Sequence, residues 1–500
     1  MKLNTILPLS LLLSSCLFNG CSAQDFSESM TLTMESHGVM GMSALVICGG
    51  EVTEAFHAGF RDYENKWPVN SDTRFRIASV SKSITAIGCM KLIEAAAIDL
   101  ETDINDYLPF VVSNANHPGV PITTRMLLSH TSSIQDGSGY SPFLTSTYQS
   151  TGNLPSLAEL LEPDGLHFTA NMYRTEEPGT HFAYSNLNFG LLATVMEAVT
   201  ETRFDILMDS LLFNPMELGC TYDVSALTDI ENLATLYRYQ GGWVAQADQY
   251  NGVAPASPEM SDYEPGTNGL RFGPQGGLRA SAQELHQLMA LHLNNGTASN
   301  GTVILSGESL QAMRSVEWTY NGSNGDNYYN LFNSWGLGIQ NVSQAPMGDV
   351  VFQNFEMWGH PGEAYGLVSD WYFDDETQNG IIFLTNGVAN GYTSGNNSAF
   401  YTIEEEVFAA AESALNCTNS MANYGGDSWK VTPNFGRPNE PIRCSPPQGT
   451  RAIHWYNLQG QCVAKSDINA GLSVPPLPAG TYTMRCFGAI NIAAKLFTIQ

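Results

Sequence analysis

Lysine is scarce in this chain. Its 500 residues hold only seven, Lys2, Lys66, Lys82, Lys91, Lys430, Lys465 and Lys495, and none lies between positions 91 and 430. Any lysine that acts chemically in the large first part must come from its beginning. Charge is sparse and one-sided: 14% of residues are charged, 49 acidic against 21 basic, for a net charge of −28. That excess repels phosphate backbones and anionic lipid, and it excludes nucleic acid as a partner. G-x-S-x-G, H-E-x-x-H, P-loop and G-x-G-x-x-G patterns are all missing, so ordinary α/β-hydrolase, zinc-peptidase and nucleotide-binding chemistry have no support. The nine cysteines are scattered, with no C-x-x-C pair and no metal-ligand spacing. No metal or other cofactor is therefore expected. Beyond the N-terminus no run is long and apolar enough to cross a bilayer.

What is present begins with an export signal. Lys2 supplies positive charge, Ile6 to Leu13 is a short apolar run, and Cys21-Ser22-Ala23 is a small-residue cleavage site that defines a signal peptide over 1–23. Leu13-Ser14-Ser15-Cys16 offers the alternative of a lipid on Cys16. Cys48 and Cys89 fall in apolar stretches and read as buried thiols. Cys444, Cys462 and Cys486 cluster near the end, with no pairing readable. Six N-x-S/T triplets occur in a chain rich in Asn, Ser and Thr, and they imply nothing. The length and an apolar fraction of 43% suit one large domain plus a smaller one.

Strand and helix patterns give an order. Ala44 to Cys48 and Val52 to Ala58 flank Gly49-Gly50, a hairpin signal. Thr73 to Ala78 reads as extended. From Ser79 onward, Ile84, Ile87, Cys89, Leu92, Ile93 and Ala96 recur at helical spacing. Further helices are expected over 187–199, 282–294 and 399–415, and strands over 364–373 and 380–385. Much of 231–270 and 318–330 is rich in Gly, Asn and Tyr and reads as long loops or insertions that would shape a pocket. A hairpin first, helices in the middle and strands with a helix last predict an α+β or α/β domain. Its N- and C-terminal strands would share one antiparallel sheet flanked by helices. The break at 423–430 is a linker, and 431–500 reads as a small β-sandwich.

Ser79-Val80-Ser81-Lys82 is the one S-x-x-K in the chain. On a helix, positions three apart share a face, so the Ser79 hydroxyl and the Lys82 amine can meet. A serine hydroxyl is a weak nucleophile and needs a base. A lysine stripped of water loses its proton more readily and can be that base. A serine at a helix start also sits beside free N–H groups that favour a developing oxyanion.

The wider segment, Phe75-Arg-Ile-Ala-Ser79-Val-Ser-Lys82-Ser-Ile-Thr-Ala86, resembles the nucleophile element of the class C β-lactamase-related family, which includes D-alanyl-D-alanine carboxypeptidases and esterases. Ile122 to Thr131, the Glu177–Asn186 stretch containing Tyr184-Ser185-Asn186, Gly276 to Ala282, and Gly359-His360-Pro361-Gly362 resemble its later elements, in order. The likeness spans about residues 35 to 412. It implies a β-lactamase/transpeptidase-like α+β fold with a helical subdomain over 24–422, and a serine hydrolase acting on an ester, amide or β-lactam. It also implies roles. Ser79 attacks the acyl carbonyl. Lys82 and Tyr184 share proton transfer, with the base left open. Asn186 binds the substrate amide or Lys82. His360 stands where relatives carry lysine, as a donor or partial positive charge. Gly362 and Glu363 border the substrate, and the backbone N–H groups of Ser79 and Glu363 form the oxyanion hole. Glu363 departs from the small residue usual there: it would select against acidic substrates or point to solvent. An esterase or D-amino-acid peptidase is the main reading. A true class C-like β-lactamase and a non-catalytic binding protein on the same scaffold are the alternatives.

Residues 431–500 resemble the C-terminal sorting domain of the type IX secretion system. Val431 to Phe435, Trp455 to Gly460, Leu477 to Met484 and Lys495 to Gln500 carry the likeness. It implies contact with export machinery and a destination at the cell surface or in the medium, after passage through the periplasm. The alternative is a carbohydrate-binding or spacer domain.

Overall fold

The computed structural model describes residues 26–415, apart from 151–153, 346 and 354, and the backbone of seven strands from Lys430 onward. The expected signal peptide with Cys16, and 423–429 of the linker, lie outside the described residues. The chain divides into two compact units, Met1–Leu415 and Asn416–Gln500.

The first unit opens with helix Phe26–His37 (α1), which the sequence reading did not include. The hairpin Gly41–Cys48 (β1) and Glu51–Asp62 (β2) turns at Gly49-Gly50, both at positive φ (61° and 87°). Trp67–Pro68 (β3) pairs with β2, and Phe75–Arg76 (β4) leads into helix Val80–Glu94 (α2). A helical region follows: Thr124–Leu128 (α3), Tyr140–Gln149 (α4), Ala158–Leu161 (α5), Asn186–Thr200 (α6) and Phe204–Met208 (α7). Then come the hairpin Leu236–Tyr239 (β5) and Trp243–Ala247 (β6), strand Arg279–Ala280 (β7), and helices Ala282–Leu293 (α8) and Gly307–Met313 (α9). The unit ends with Trp318–Thr319 (β8), Ser334–Trp335 (β9), Gln340–Asn341 (β10), Trp358–Ala364 (β11), Leu367–Asp374 (β12), Asn379–Thr385 (β13) and helix Thr402–Leu415 (α10).

Nine of these strands form one antiparallel sheet in the order β3-β2-β1-β13-β12-β11-β10-β9-β8. Met42 lies opposite Thr385 and Ile47 opposite Gly380, so the first long strand pairs with the last, as the pattern predicted. Both faces are covered, which explains why β1, β12 and β13 read as nearly continuous apolar runs. Leu45, Ile47, Trp371, Phe373, Ile382 and Leu384 point into the larger core shared with α2, α6 and α8. Their alternates Ala44, Val46, Val368, Tyr372, Ile381 and Phe383 pack with Phe26 and Met30 of α1 and with Ile403, Val407 and Phe408 of α10. Cys89 is buried as expected, whereas Cys48 is only half-buried because it ends β1 at the turn.

Two elements go beyond the pattern. Much of 231–270 is loop, as expected, and within it β5 and β6 pair across Gly241-Gly242. The stretch around His360 is a full strand, β11, held between β10 and β12 despite Pro361 and two glycines. In the second unit, strands Phe435–Gly436, Ala493–Ile499, Gly480–Gly488, Thr450–Tyr456 and Cys462–Asp467 form a five-stranded sheet in that order, and Lys430–Thr432 pairs with Arg443–Ser445.

Candidate active site

The site is assembled where β4 ends and α2 begins. Ala78 holds a left-handed φ of 45°, and Ser79 follows at φ −67° and ψ −13°. A left-handed alanine costs roughly 1–2 kcal/mol. It turns the chain sharply from strand to helix, so Ser79 is delivered at the helix start. The Ser79 side chain makes no capping hydrogen bond to the helix and is left for other partners.

Lys82, one turn into α2, is fully buried. Its Nζ lies 3.0 Å from Ser79 Oγ, 2.9 Å from Asn186 Oδ1 and 2.8 Å from the Gln275 carbonyl oxygen. Two of these partners are carbonyl oxygens, which can only accept. A neutral amine uses its two N–H groups on them and turns its lone pair to the Ser79 hydroxyl. Burial depresses the Lys82 pKa to about 7, and Asp136 opposes part of that fall. A base poised in that range is partly free amine at neutral pH, as a proton acceptor must be.

Tyr184 lies against the same hydroxyl. Burial pushes its phenol well above the usual range, and a hydrogen bond with Ser79 pulls the other way. The phenol is therefore neutral. Its oxygen is 3.5 Å from His360 Nε2, at the outer limit of a hydrogen bond. Aromatic rings of His130, Phe332 and Tyr328 pack around Tyr184, with centroids 4.6, 5.1 and 5.8 Å away.

His360 is completely buried on β11. Its Nδ1 is 2.6 Å from the Pro361 carbonyl oxygen, so that nitrogen carries the proton. Burial, reinforced by Lys82, lowers its pKa to about 3. The imidazole is thus neutral, with Nε2 free to accept from Tyr184. The resemblance implies a donor or partial positive charge at this place; burial, more than Lys82, disfavours a second proton on the ring.

Gly362 fits its position for a steric reason. A Cβ there would stand 2.7 Å from the Ile77 carbonyl oxygen and collide with Ser369 Oγ. Ser369 Oγ itself donates to the Ile77 carbonyl at 2.9 Å, which ties β12 to the segment before the nucleophile. The missing side chain lets β11 lie close to Ala78 and Ser79. Glu363 is exposed and accepts a 2.5 Å hydrogen bond from Tyr401 Oη.

Several residues escaped the sequence reading. Asp136 accepts from Ser185 Oγ, the Asn186 backbone and side-chain nitrogens, and the Leu187 N–H, at 2.8–3.1 Å. It supplies the cap that α6 lacks and fixes Asn186 against Lys82. No local pattern marks it, because its partners are about 50 positions away. His130 is buried, accepts from the Ser185 N–H at 3.2 Å and supports the Tyr184 ring; it lay inside a quoted segment without a role. Gln275 precedes Gly276-Gly277, another quoted segment. Among the described residues no group of acidic, His or Cys side chains could hold a metal ion.

The sequence profile of the family described as Beta-lactamase matches residues 26–399. Protein flp of Staphylococcus aureus strain N315 is 22% identical over 56% of this chain and 54% of its own length. The chain spans about half the length of that curated relative. Two solved structures share the fold. EstCE1, described as a hydrolase with promiscuous acyltransferase activity, is 20% identical with a TM-score of 0.56, over 77% of this chain and 97% of its own. The D-amino acid amidase of Ochrobactrum anthropi SV3 gives 20% and 0.56 over 79% and 99%. With a profile match across most of its length and this sheet and helix arrangement, the chain belongs to the beta-lactamase family of serine hydrolases.

Proposed function

We propose that the protein cleaves an ester or amide through an acyl-enzyme on Ser79, with Lys82 as the base. The observation that carries this is the Lys82 amine: buried, within 2.9 Å of two carbonyl oxygens that can take its donors, and 3.0 Å from Ser79 Oγ. Tyr184 is a poor base because its phenol is held neutral. Protonated and beside Ser79, it can relay a proton in the next step. Ser79 Oγ attacks the acyl carbonyl while Lys82 takes its proton. The N–H groups of Ser79 and Glu363 receive the oxyanion. The proton then passes through Tyr184 to the departing oxygen or nitrogen, and water releases the acyl group by the reverse route. Neutral His360 accepts from Tyr184 and holds the phenol in place. The amidase and acyltransferase descriptions of the two solved neighbours support acyl chemistry of the esterase or D-amino-acid peptidase kind.

A fluorophosphonate probe and a fluorescent penicillin test the reading. Intact-mass and peptide analysis should show one adduct on Ser79, absent from Ser79→Ala. Equal labelling of that variant, or no label on folded wild-type protein, would sink the proposal.

A further inference from the structure

A cavity of about 420 Å³ lies beside the Ser79 site, and four arginines stand in its otherwise largely apolar and aromatic wall. Gln275 and Arg76 connect the two places. The Gln275 backbone carbonyl accepts from Lys82, while the residue itself lines the cavity. Arg76 stands three positions before Ser79, and its Nε donates to the Gly276 carbonyl at 3.0 Å. None of Ser79, Lys82, Tyr184 and His360 lines this cavity, which lies on the Gln275 and Arg76 side of the nucleophile, away from the groups that serve the departing atom. The space therefore suits the acyl part of a substrate.

Four of the fourteen arginines in this acidic chain, Arg76, Arg203, Arg271 and Arg279, line the cavity. Two are neutralised: Arg203 pairs with Asp205 at 2.6 Å and Arg279 with Asp248 at 2.8 Å. The other two have no carboxylate partner among the described residues. Arg271 donates only to the Thr147 carbonyl at 3.3 Å and lies over the Tyr148 ring at 5.8 Å. Arg76 is half-buried, lies over the Tyr365 ring at 5.6 Å, and faces Arg279 across the β4–β7 pair. Burial and Arg279 both work against its charge, yet a guanidinium does not give up its proton in proteins. Asp223 is the one cavity carboxylate without an arginine pair, and its Oδ1 is held by the Ser225 N–H and hydroxyl. Gln275 Oε1 is buried with no hydrogen-bond partner. Unpaired cations in a concave, half-desolvated site bind anions, and a planar guanidinium fits a carboxylate fork to fork.

We propose that this cavity is an acyl-side subsite for a carboxylate, so that substrates carrying a free carboxylate on the acyl chain are preferred, with Arg76 and Arg271 as the specificity residues. The proposal rests on the acyl-enzyme reading of Ser79. Glu363, the acid that suggested selection against anions, does not line the cavity and is engaged by Tyr401.

Paired esters provide the test: mono-para-nitrophenyl glutarate, with its free carboxylate, against para-nitrophenyl valerate of equal chain length. Hydrogen bonds to a charged group are worth about 1.5–3 kcal/mol, or roughly 10- to 100-fold. The wild-type kcat/KM should favour the glutarate ester by at least about tenfold on that scale. Arg76→Met and Arg271→Gln, each checked for wild-type melting, should lower this ratio about tenfold or more. Two variants guard against one failing to fold. No wild-type preference, or a ratio untouched by both changes, overturns the subsite. Calorimetry with glutarate reads it without turnover: binding that either substitution weakens supports it, and absence of binding overturns it even where Ser79 takes the acyl probe. Glutarate binding alongside an unlabelled Ser79 would keep the subsite and remove the acyl-enzyme reading instead.

Discussion

Removing the Asp136 carboxylate should make the enzyme relatively more active in acid. Asp136 and Lys82 hold opposite ends of the same Asn186 amide, through contacts of 2.8 and 2.9 Å. The two charges are thus about 6 Å apart, and Asp136 is exposed, so an effective dielectric of about 40–80 applies. Coulomb attraction at that spacing is worth about 0.7–1.4 kcal/mol, or roughly half to one pH unit. The carboxylate favours the protonated ammonium, so it holds the Lys82 pKa up. In wild-type protein the acid limb of kcat/KM should have its midpoint near pH 7, where Lys82 loses its proton. Asp136→Asn should move that midpoint down by about half to one unit. The assay is ester hydrolysis across pH, with each variant scaled to its own plateau. The substitution also loosens the start of α6, so the plateau and the melting temperature should both fall. Lost structure alone lowers the plateau without shifting the midpoint. A midpoint that stays put or rises in Asp136→Asn would refute Lys82 as the titrating base.

Two further outcomes follow from packing. Asp370 on β12 and Glu404 on α10 are buried side by side, and burial raises both carboxyls, Glu404 to about 8. Such a pair is stable while it holds a proton between its members; its stabilisation is complete below the unfolded carboxylate range and is lost as pH rises through the raised range of the two carboxyls. Asp370→Asn supplies a permanent donor, so by thermal melting it should gain more, or lose less, at pH 9 than at pH 5. An equal change at both values would remove the shared proton. Gly362→Ala pushes a methyl into the Ile77 carbonyl, 2.7 Å from the ideal Cβ position, and displaces β11 from Ser79. Misplacing a reacting group by about an ångström costs on the order of 10²-fold, so kcat should fall by about that much while the variant still melts cooperatively. Wild-type kcat in Gly362→Ala would show that β11 need not approach so closely.

The nucleophile segment was legible because its information is local. Three positions on one helix face bring Ser79 and Lys82 together wherever that helix lies. The hairpin of β1 and β2, helices α6 and α8, and the pairing of first and last strands were readable from period and order. Strand β11 was not, because Gly359, Pro361 and Gly362 are poor strand formers that only flanking β10 and β12 hold extended. Hairpin β5–β6 carried its signal in Gly241-Gly242, masked by the polar residues around it. The charge of His360 depends on burial and on Lys82, both set by the fold and neither readable from residue type. Asp136 is invisible for the same reason: its value lies in four donors from another element.

The pairing of β1 with β13 also sets a timetable for folding. Met42 must wait for Thr385, about 340 residues later, before the middle of the sheet exists. Until then β1 has only β2 beside it, and a lone hairpin is marginal in water. A chain emerging N-terminus first therefore makes Ser79 and Lys82 long before β11 and β12 can back them. Fragments that stop short of β13 should expose the unpaired β1 edge and associate through it rather than form a weakened enzyme. Catalytic competence and completion of the sheet thus arrive as one late event.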